Sequence, residues 1–161
     1  MQRLILLRHG EAEAQSASGR DLDRALTAAG VAAVARTATA LAKAGAIPDV
    51  ALVSTAKRTR ETWAEAAAQF PLSKCEFKPV IYNASPTALM DLARDCAGDT
   101  VMIVGHNPSL QGLALDLLAR EGAAAPVVAR IEARFPPATA AVFSFVGDTP
   151  ELDALLMAGL V

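Results

Sequence analysis

The chain contains two histidines, and each follows a short apolar run. His9 comes after Leu4 to Leu7, with Arg8 before it and Gly10-Glu11 behind it. His106 comes after Val101 to Val104, within Gly105-His106-Asn107-Pro108, and a third run, Val50 to Val53, leads into Ser54-Thr55-Ala56-Lys57-Arg58. Nothing in the folding of an apolar strand calls for an imidazole or a guanidinium at its end. Taken singly, each residue has a structural explanation: a loop histidine, a solvated helix face for Lys57, Arg58, Arg60 and Glu61, a tight turn at Gly10 or Gly105. Taken together, Arg8, His9, Arg58 and His106 bring two guanidiniums and two imidazoles around one small volume. Such a cluster repels itself unless an anion occupies it, and planar guanidinium forks match the oxygens of a phosphoryl group. Two arginines beside two histidines and Glu11 suit a metal poorly, since they oppose a dication. A neutral imidazole, with an unperturbed pKa of ~6.5, is a nucleophile at physiological pH and can accept a phosphoryl group covalently. The expected chemistry is transfer to His9, with Arg8, Arg58 and His106 holding the non-bridging oxygens and water releasing phosphate.

The elements that must position these residues follow from periodicity. Apolar runs at Leu4 to Leu7, Val50 to Val53, Phe77 to Ile81 and Val101 to Val104 alternate with helical patterns, which predicts an α/β fold whose mostly parallel sheet is covered on both faces. Ligands of such sheets bind outside the carboxyl ends of the strands, where both histidines and Arg58 fall. Thr27 is an expected cap for a helix carrying Val34, Ala38 and Leu41 and ending by Gly45; a second helix follows Ser54, with Trp63, Ala67 and Phe70 aligned. Ser85-Pro86 and Asn107-Pro108 read as one repeated device, a capping side chain before a proline at the first helical position. After Leu118 the pattern weakens: Glu121 to Ala138 reads as an irregular excursion, Ala141 to Val146 as a last strand, and the tail from Glu151 carries no assignment.

Composition sets the limits. At 161 residues the chain is expected to form a single domain, residues 1–161. Its 15 basic and 17 acidic side chains leave a net charge of −2, so no global field recruits nucleic acid or an anionic membrane, and any anion site is local. Cys75 and Cys96 fit neither a CxxC nor a zinc spacing and read as reduced thiols of a reducing compartment. No apolar stretch approaches the ~20 residues of a membrane span, and the expected location is the cytoplasm.

Arg8-His9-Gly10-Glu11 resembles the RHG signature of the histidine phosphatase superfamily, which includes the cofactor-dependent phosphoglycerate mutases. "STAKRTRET" from Ser54 to Thr62 resembles its second motif, with Ser54, Arg58 and Thr62 at matching places; "VGHNP" from Val104 to Pro108 resembles the third, and "DRALTAAG" from Asp23 to Gly30 the opening of the first helix. The resemblance implies a three-layer α/β/α, phosphoglycerate mutase-like fold and no cofactor. It implies that His9 is the phosphorylated nucleophile, with Arg8, Arg58 and His106 completing the phosphate pocket and Asn107 and Ser54 supporting it. The short chain, lacking the long insertions of the mutases, is most similar to the SixA branch. These are bacterial phosphatases acting on phosphohistidine of histidine-phosphotransfer domains or phosphotransferase-system proteins.

One departure bears on the reaction. The mutases and sugar phosphatases of the superfamily usually place a glutamate general acid between the second and third motifs, where this chain reads "PVIYNASPTALMD" with no carboxylate before Asp91. An alkoxide leaving group is about as basic as hydroxide, so a proton donor is worth roughly 10²- to 10⁴-fold for an ester. An imidazole needs far less help to leave, and the missing acid favours a P–N bond. Glu11, Glu13 and Tyr82 are the remaining candidates for the acid. Two other readings stay open: a small-molecule phosphatase acting on a sugar phosphate, phosphoanhydride or nucleotide, and a non-catalytic phosphate-binding interaction module.

Overall fold

The computed structural model describes residues 1–157. Its strands are β1 (Arg3–Arg8), β2 (Val50–Val53), β3 (Lys74–Phe77), β4 (Thr100–Gly105), β5 (Ala140–Val146) and β6 (Thr149–Leu156), joined in one sheet of order β3-β2-β4-β1-β5-β6. The pairs β1–β4, β2–β4 and β2–β3 are parallel, and β5 and β6 are added antiparallel at one edge.

Successive side chains of a strand point to opposite faces, which divides the apolar runs between two layers of helices. Leu4, Leu6, Leu52, Val101 and Ile103 pack with Leu89 of α3 (Pro86–Arg94), Leu110, Leu113 and Leu117 of α4 (Ser109–Glu121) and Ile131 of α5 (Ala125–Ala133). Ile5, Leu7, Ala51, Val53, Met102 and Val104 pack with Val34, Ala38 and Leu41 of α1 (Ala28–Lys43) and Trp63 of α2 (Lys57–Ala66). Burial on both faces is why the central strands read as continuous apolar runs. Caps set the helix starts: Thr27 accepts from Gly30 N, and Ser85 from Ala88 N. Register then sets the site. Arg8 pairs with Gly105 and Val53 with Val104, so His9, Ser54 and His106 leave the sheet along one edge.

Several sequence expectations are corrected. The third strand is not Phe77 to Ile81: β3 ends at Phe77, and Pro79–Asn83 forms a 3₁₀ turn. Pro79 has no N–H to continue the ladder, whose last bond is Lys78 N to Val53 O. An edge strand reading exposed, half-buried, exposed, exposed has no apolar run to detect. The second helix stops at Ala66, Ala67–Gln69 is a 3₁₀ turn, and Phe70 follows it with its ring stacked against Trp63. Asn107 does not cap α4. The excursion from Glu121 to Ala138 contains α5, which opens with Pro126 in its first turn. The unassigned tail supplies β6 through Leu156, and residues 158–161 of it lie outside the described residues. Among the described residues no helix is long and apolar enough to cross a membrane.

Candidate active site

His9 is 7% exposed and fastened on several sides. Its backbone N–H donates to Gly105 O (3.1 Å), and its carbonyl accepts from Ala138 N (2.9 Å). The next N–H, of Gly10, donates to the Thr62 hydroxyl (3.0 Å), which itself donates to Arg58 O (2.7 Å). The turn can run this close to α1 only because two glycines face each other. A Cβ on Gly10 would lie 2.8 Å from both Gly30 O and Val34 Cγ2, and a Cβ on Gly30 only 2.1 Å from Glu11 O. The imidazole Nδ1 stands 2.7 Å from Gly10 O. A carbonyl only accepts, so Nδ1 carries the proton and Nε2 keeps its lone pair. Burial lowers the His9 pKa to about 4, assisted by the charges of Arg58, Arg8 and Arg24 and opposed by the Gly10 hydrogen bond. The ring is neutral at pH 7.

His106 sits with its ring centroid 5.3 Å from that of His9. Burial first, then the charge of Arg58, lowers its pKa to about 3, so it too is neutral. Its Nε2 is 2.8 Å from the buried Ser54 hydroxyl. Arg8 donates through Nη1 to Phe135 O (2.6 Å), and its pKa is lowered by burial and by Arg58. Arg8 Nε, Arg58 Nε and His106 Nδ1 are buried and have no acceptor within the chain. An oxyanion satisfies such a set of donors and relieves the repulsion between the two cations. A cleft of about 430 Å³ runs alongside, lined by Arg58, Tyr82, His106, Asn107 and Ser109 among others.

Asn107 supports this arrangement from behind. Its Nδ2 donates to Phe135 O (3.1 Å), the carbonyl that also receives Arg8, and to Gln111 Oε1 (3.1 Å). Gln111 Nε2 donates in turn to Ile131 O (2.7 Å), so the last turn of α5 is tied to the guanidinium of Arg8. α4 begins at Ser109 with Pro108 at the cap position, so Asn107 lies one residue too early to cap it.

The structure brings Arg8, His9, Ser54, Arg58, His106 and Asn107 to one crevice. The three candidate acids fare differently. Glu11 lies beside the first turn of α1, its Oε1 accepting from the Thr27 hydroxyl (2.8 Å). Glu13 is exposed. Tyr82, on the turn that replaces the expected strand, stands edge-on to His106 at 5.3 Å and donates its hydroxyl to Asp21 Oδ2 (2.5 Å). Asp91 lies within α3, as its place in the sequence suggests.

Asp21 is the residue sequence reasoning missed. Its Oδ2 also accepts from Arg58 Nη2 (3.0 Å), its carbonyl from Arg58 Nη1 (2.9 Å), and its Oδ1 from Arg24 Nη1 (3.1 Å). The Tyr82 hydrogen bond, with further help from Arg58 and Arg24, holds its carboxyl below the usual carboxylate range against the opposing effect of burial. The available signal was a carboxylate two positions ahead of "DRALTAAG", with no spacing rule tying it to Arg58. Among the described residues no group of three or more His, Cys, Asp and Glu side chains could hold a metal.

Residues 4–79 match the model of the histidine phosphatase superfamily, branch 1. An uncharacterised protein of Mycobacterium tuberculosis is 33% identical over 109 residues, covering 65% of this chain and 66% of that one, slightly under two thirds of the relative's length. Among solved structures, a candidate phosphohistidine phosphatase SixA from Agrobacterium tumefaciens superposes with a TM-score of 0.85 at 28% identity, over 97% of each chain. A mycobacterial glucosyl-3-phosphoglycerate phosphatase shares the fold, with a TM-score of 0.64 at 16% identity over 96% of this chain and 98% of its own.

Proposed function

We propose that this chain, whose residues 4–79 match the histidine phosphatase superfamily and whose fold and pocket support a phosphatase, hydrolyses phosphohistidine on a protein through a covalent intermediate at His9. The observation that carries this reading is the fixed tautomer of a neutral His9, whose unprotonated Nε2 stands among buried donors of Arg8, Arg58 and His106. His9 Nε2 attacks phosphorus, the bond to the leaving group breaks, and the non-bridging oxygens are held by the two guanidiniums and by His106. We assign the Ser54 hydroxyl as the donor in its 2.8 Å pairing with His106 Nε2, which puts the ring proton on Nδ1, an atom with no partner within the chain. Water then attacks the phosphorylated His9, returning the free imidazole and inorganic phosphate. No metal or other cofactor enters these steps.

The preference for a P–N bond rests on the missing acid. The segment Pro79–Asn83 offers Tyr82 and no carboxylate. Its hydroxyl is committed to Asp21, and that hydrogen bond, then burial, holds the phenol above its usual pKa, a poor proton donor at pH 7. The SixA-like neighbour, described as a candidate phosphohistidine phosphatase, supports phosphohistidine as the substrate class. A histidine-phosphotransfer domain or phosphotransferase-system protein as carrier, and the cytoplasm as location, belong to the proposal.

The test is release of inorganic phosphate in EDTA from a histidine-phosphotransfer domain phosphorylated with phosphoramidate, set against a panel of sugar phosphates, nucleotides and aryl phosphates. Turnover is expected chiefly on the phosphohistidine carrier and is lost in His9→Ala. Turnover confined to sugar phosphates or nucleotides overturns the substrate class, and phosphate binding without turnover of any substrate overturns the enzyme.

A further inference from the structure

The carboxylate of Asp21 is tied to two residues that line the cleft, Arg58 and Tyr82. Arg58 is buried, its side chain 8% exposed, whereas that of Asp21 is 48% exposed, so the carboxylate lies outward of the guanidinium it binds. Asp21 Oδ2 also accepts from Tyr82, whose ring stands edge-on to His106. An anionic side chain at the mouth of an anion pocket opposes most phosphorylated metabolites. It favours a substrate whose phosphorylated group is a cation until the bond to phosphorus breaks.

Resting on the phosphohistidine reading above, we propose that Asp21 determines specificity by selecting an N-phosphoryl imidazole protonated on its other nitrogen, replacing by charge the missing general acid. The chemistry balances without a proton transfer. His9 Nε2 forms a bond to phosphorus as the phosphorus–nitrogen bond of the substrate breaks. The electron pair of that bond remains on the departing nitrogen, and the ring leaves as neutral imidazole, bearing the proton with which it arrived. A phenolate or alkoxide gathers negative charge at the same place and is repelled by Asp21. The same carboxylate therefore acts in opposite directions on the two classes of leaving group.

Asp21 is ionised for this role, because Tyr82, Arg58 and Arg24 all donate to it. A residue that merely propped Arg58 would affect both leaving groups alike, since both transfers use Arg58.

Asp21→Asn removes the charge and retains an oxygen for Arg58 and Tyr82; Asp21→Glu retains the charge. For each variant and the wild type, kcat/KM is measured on a phosphoramidate-phosphorylated histidine-phosphotransfer domain and on p-nitrophenyl phosphate. A single charge a few ångströms from the leaving group, partly screened by water, predicts that the ratio of the two falls about tenfold in Asp21→Asn. Asp21→Glu is expected to recover most of it. An equal loss on both substrates, or an unchanged ratio, overturns the proposal. A wild type that hydrolyses p-nitrophenyl phosphate and leaves the phosphohistidine intact overturns the phosphohistidine reading itself, and is distinguished by appearing before any substitution is made.

Discussion

Gly30→Ala separates the claim that His9 is held by backbone contact from a looser view of the turn. Gly30 lies in α1, where alanine would ordinarily stabilise the helix by about 1 kcal/mol. Here the added Cβ would lie 2.1 Å from Glu11 O and 2.9 Å from Glu11 N. To open the first of these to an ordinary contact of about 3.4 Å, the Glu11 carbonyl must retreat by roughly 1.3 Å. That oxygen also accepts from Thr27 N at 2.9 Å, so the retreat breaks the bond that docks the turn on the helix cap. Overpacking of this kind costs about 1–3 kcal/mol, which offsets or exceeds the helix gain. Glu11 is two residues from His9, and a misplacement of about 1 Å at a reacting group costs on the order of 100-fold in rate. Phosphate release on the best substrate should therefore fall by about two orders of magnitude, while thermal melting and circular dichroism report a folded protein of equal or slightly lower stability. A variant with a higher melting temperature and turnover within a few-fold of wild type would refute the reasoning.

Other predictions concern the same turn. Thr62→Val preserves shape but leaves the buried Gly10 N–H without an acceptor; denaturant unfolding should show a loss of about 1–3 kcal/mol, and a loss under about 0.5 kcal/mol would contradict the role given to that hydroxyl. The histidines predict how stability depends on pH. An unfolded histidine titrates near ~6.5, and in the fold His9 is lowered to about 4 and His106 to about 3, so between these values the unfolded chain binds more protons. Their contribution is fully present above about pH 6.5 and is lost as pH falls through 4 and 3. The melting temperature should decline across that window, more shallowly in His9→Asn. Ring protons titrating near 6.5 by NMR would refute the assignment.

How much of this was legible depends on which residues carry a signal. The four parallel-strand regions split cleanly: β1, β2 and β4, buried on both faces, announce themselves as apolar runs, whereas β3 is an edge strand reading Lys-Cys-Glu-Phe and its place was displaced onto the apolar residues after it. α5 was hidden by Pro126, which reads as a breaker in sequence and sits harmlessly in a first turn. In the crevice, His9, His106 and Arg58 were visible because strand ends are where such residues matter. Phe135, whose carbonyl receives both Arg8 and Asn107, was not, since a backbone oxygen leaves no mark on residue type. Asp21 belongs to the same class of omission. Its importance comes from a contact across 37 positions with Arg58, and no local pattern encodes that.

The central claim is that His9 Nε2 becomes phosphorylated during turnover. The direct measurement is rapid quench into alkali, where phosphohistidine survives, during turnover of the phosphorylated histidine-phosphotransfer domain, followed by mass spectrometry of the peptide containing His9. One phosphoryl group on His9, appearing and decaying within the turnover time and absent from His9→Ala, is the predicted result. Full-speed phosphate release with His9 unmodified at every time point, or release surviving in His9→Ala, would contradict it.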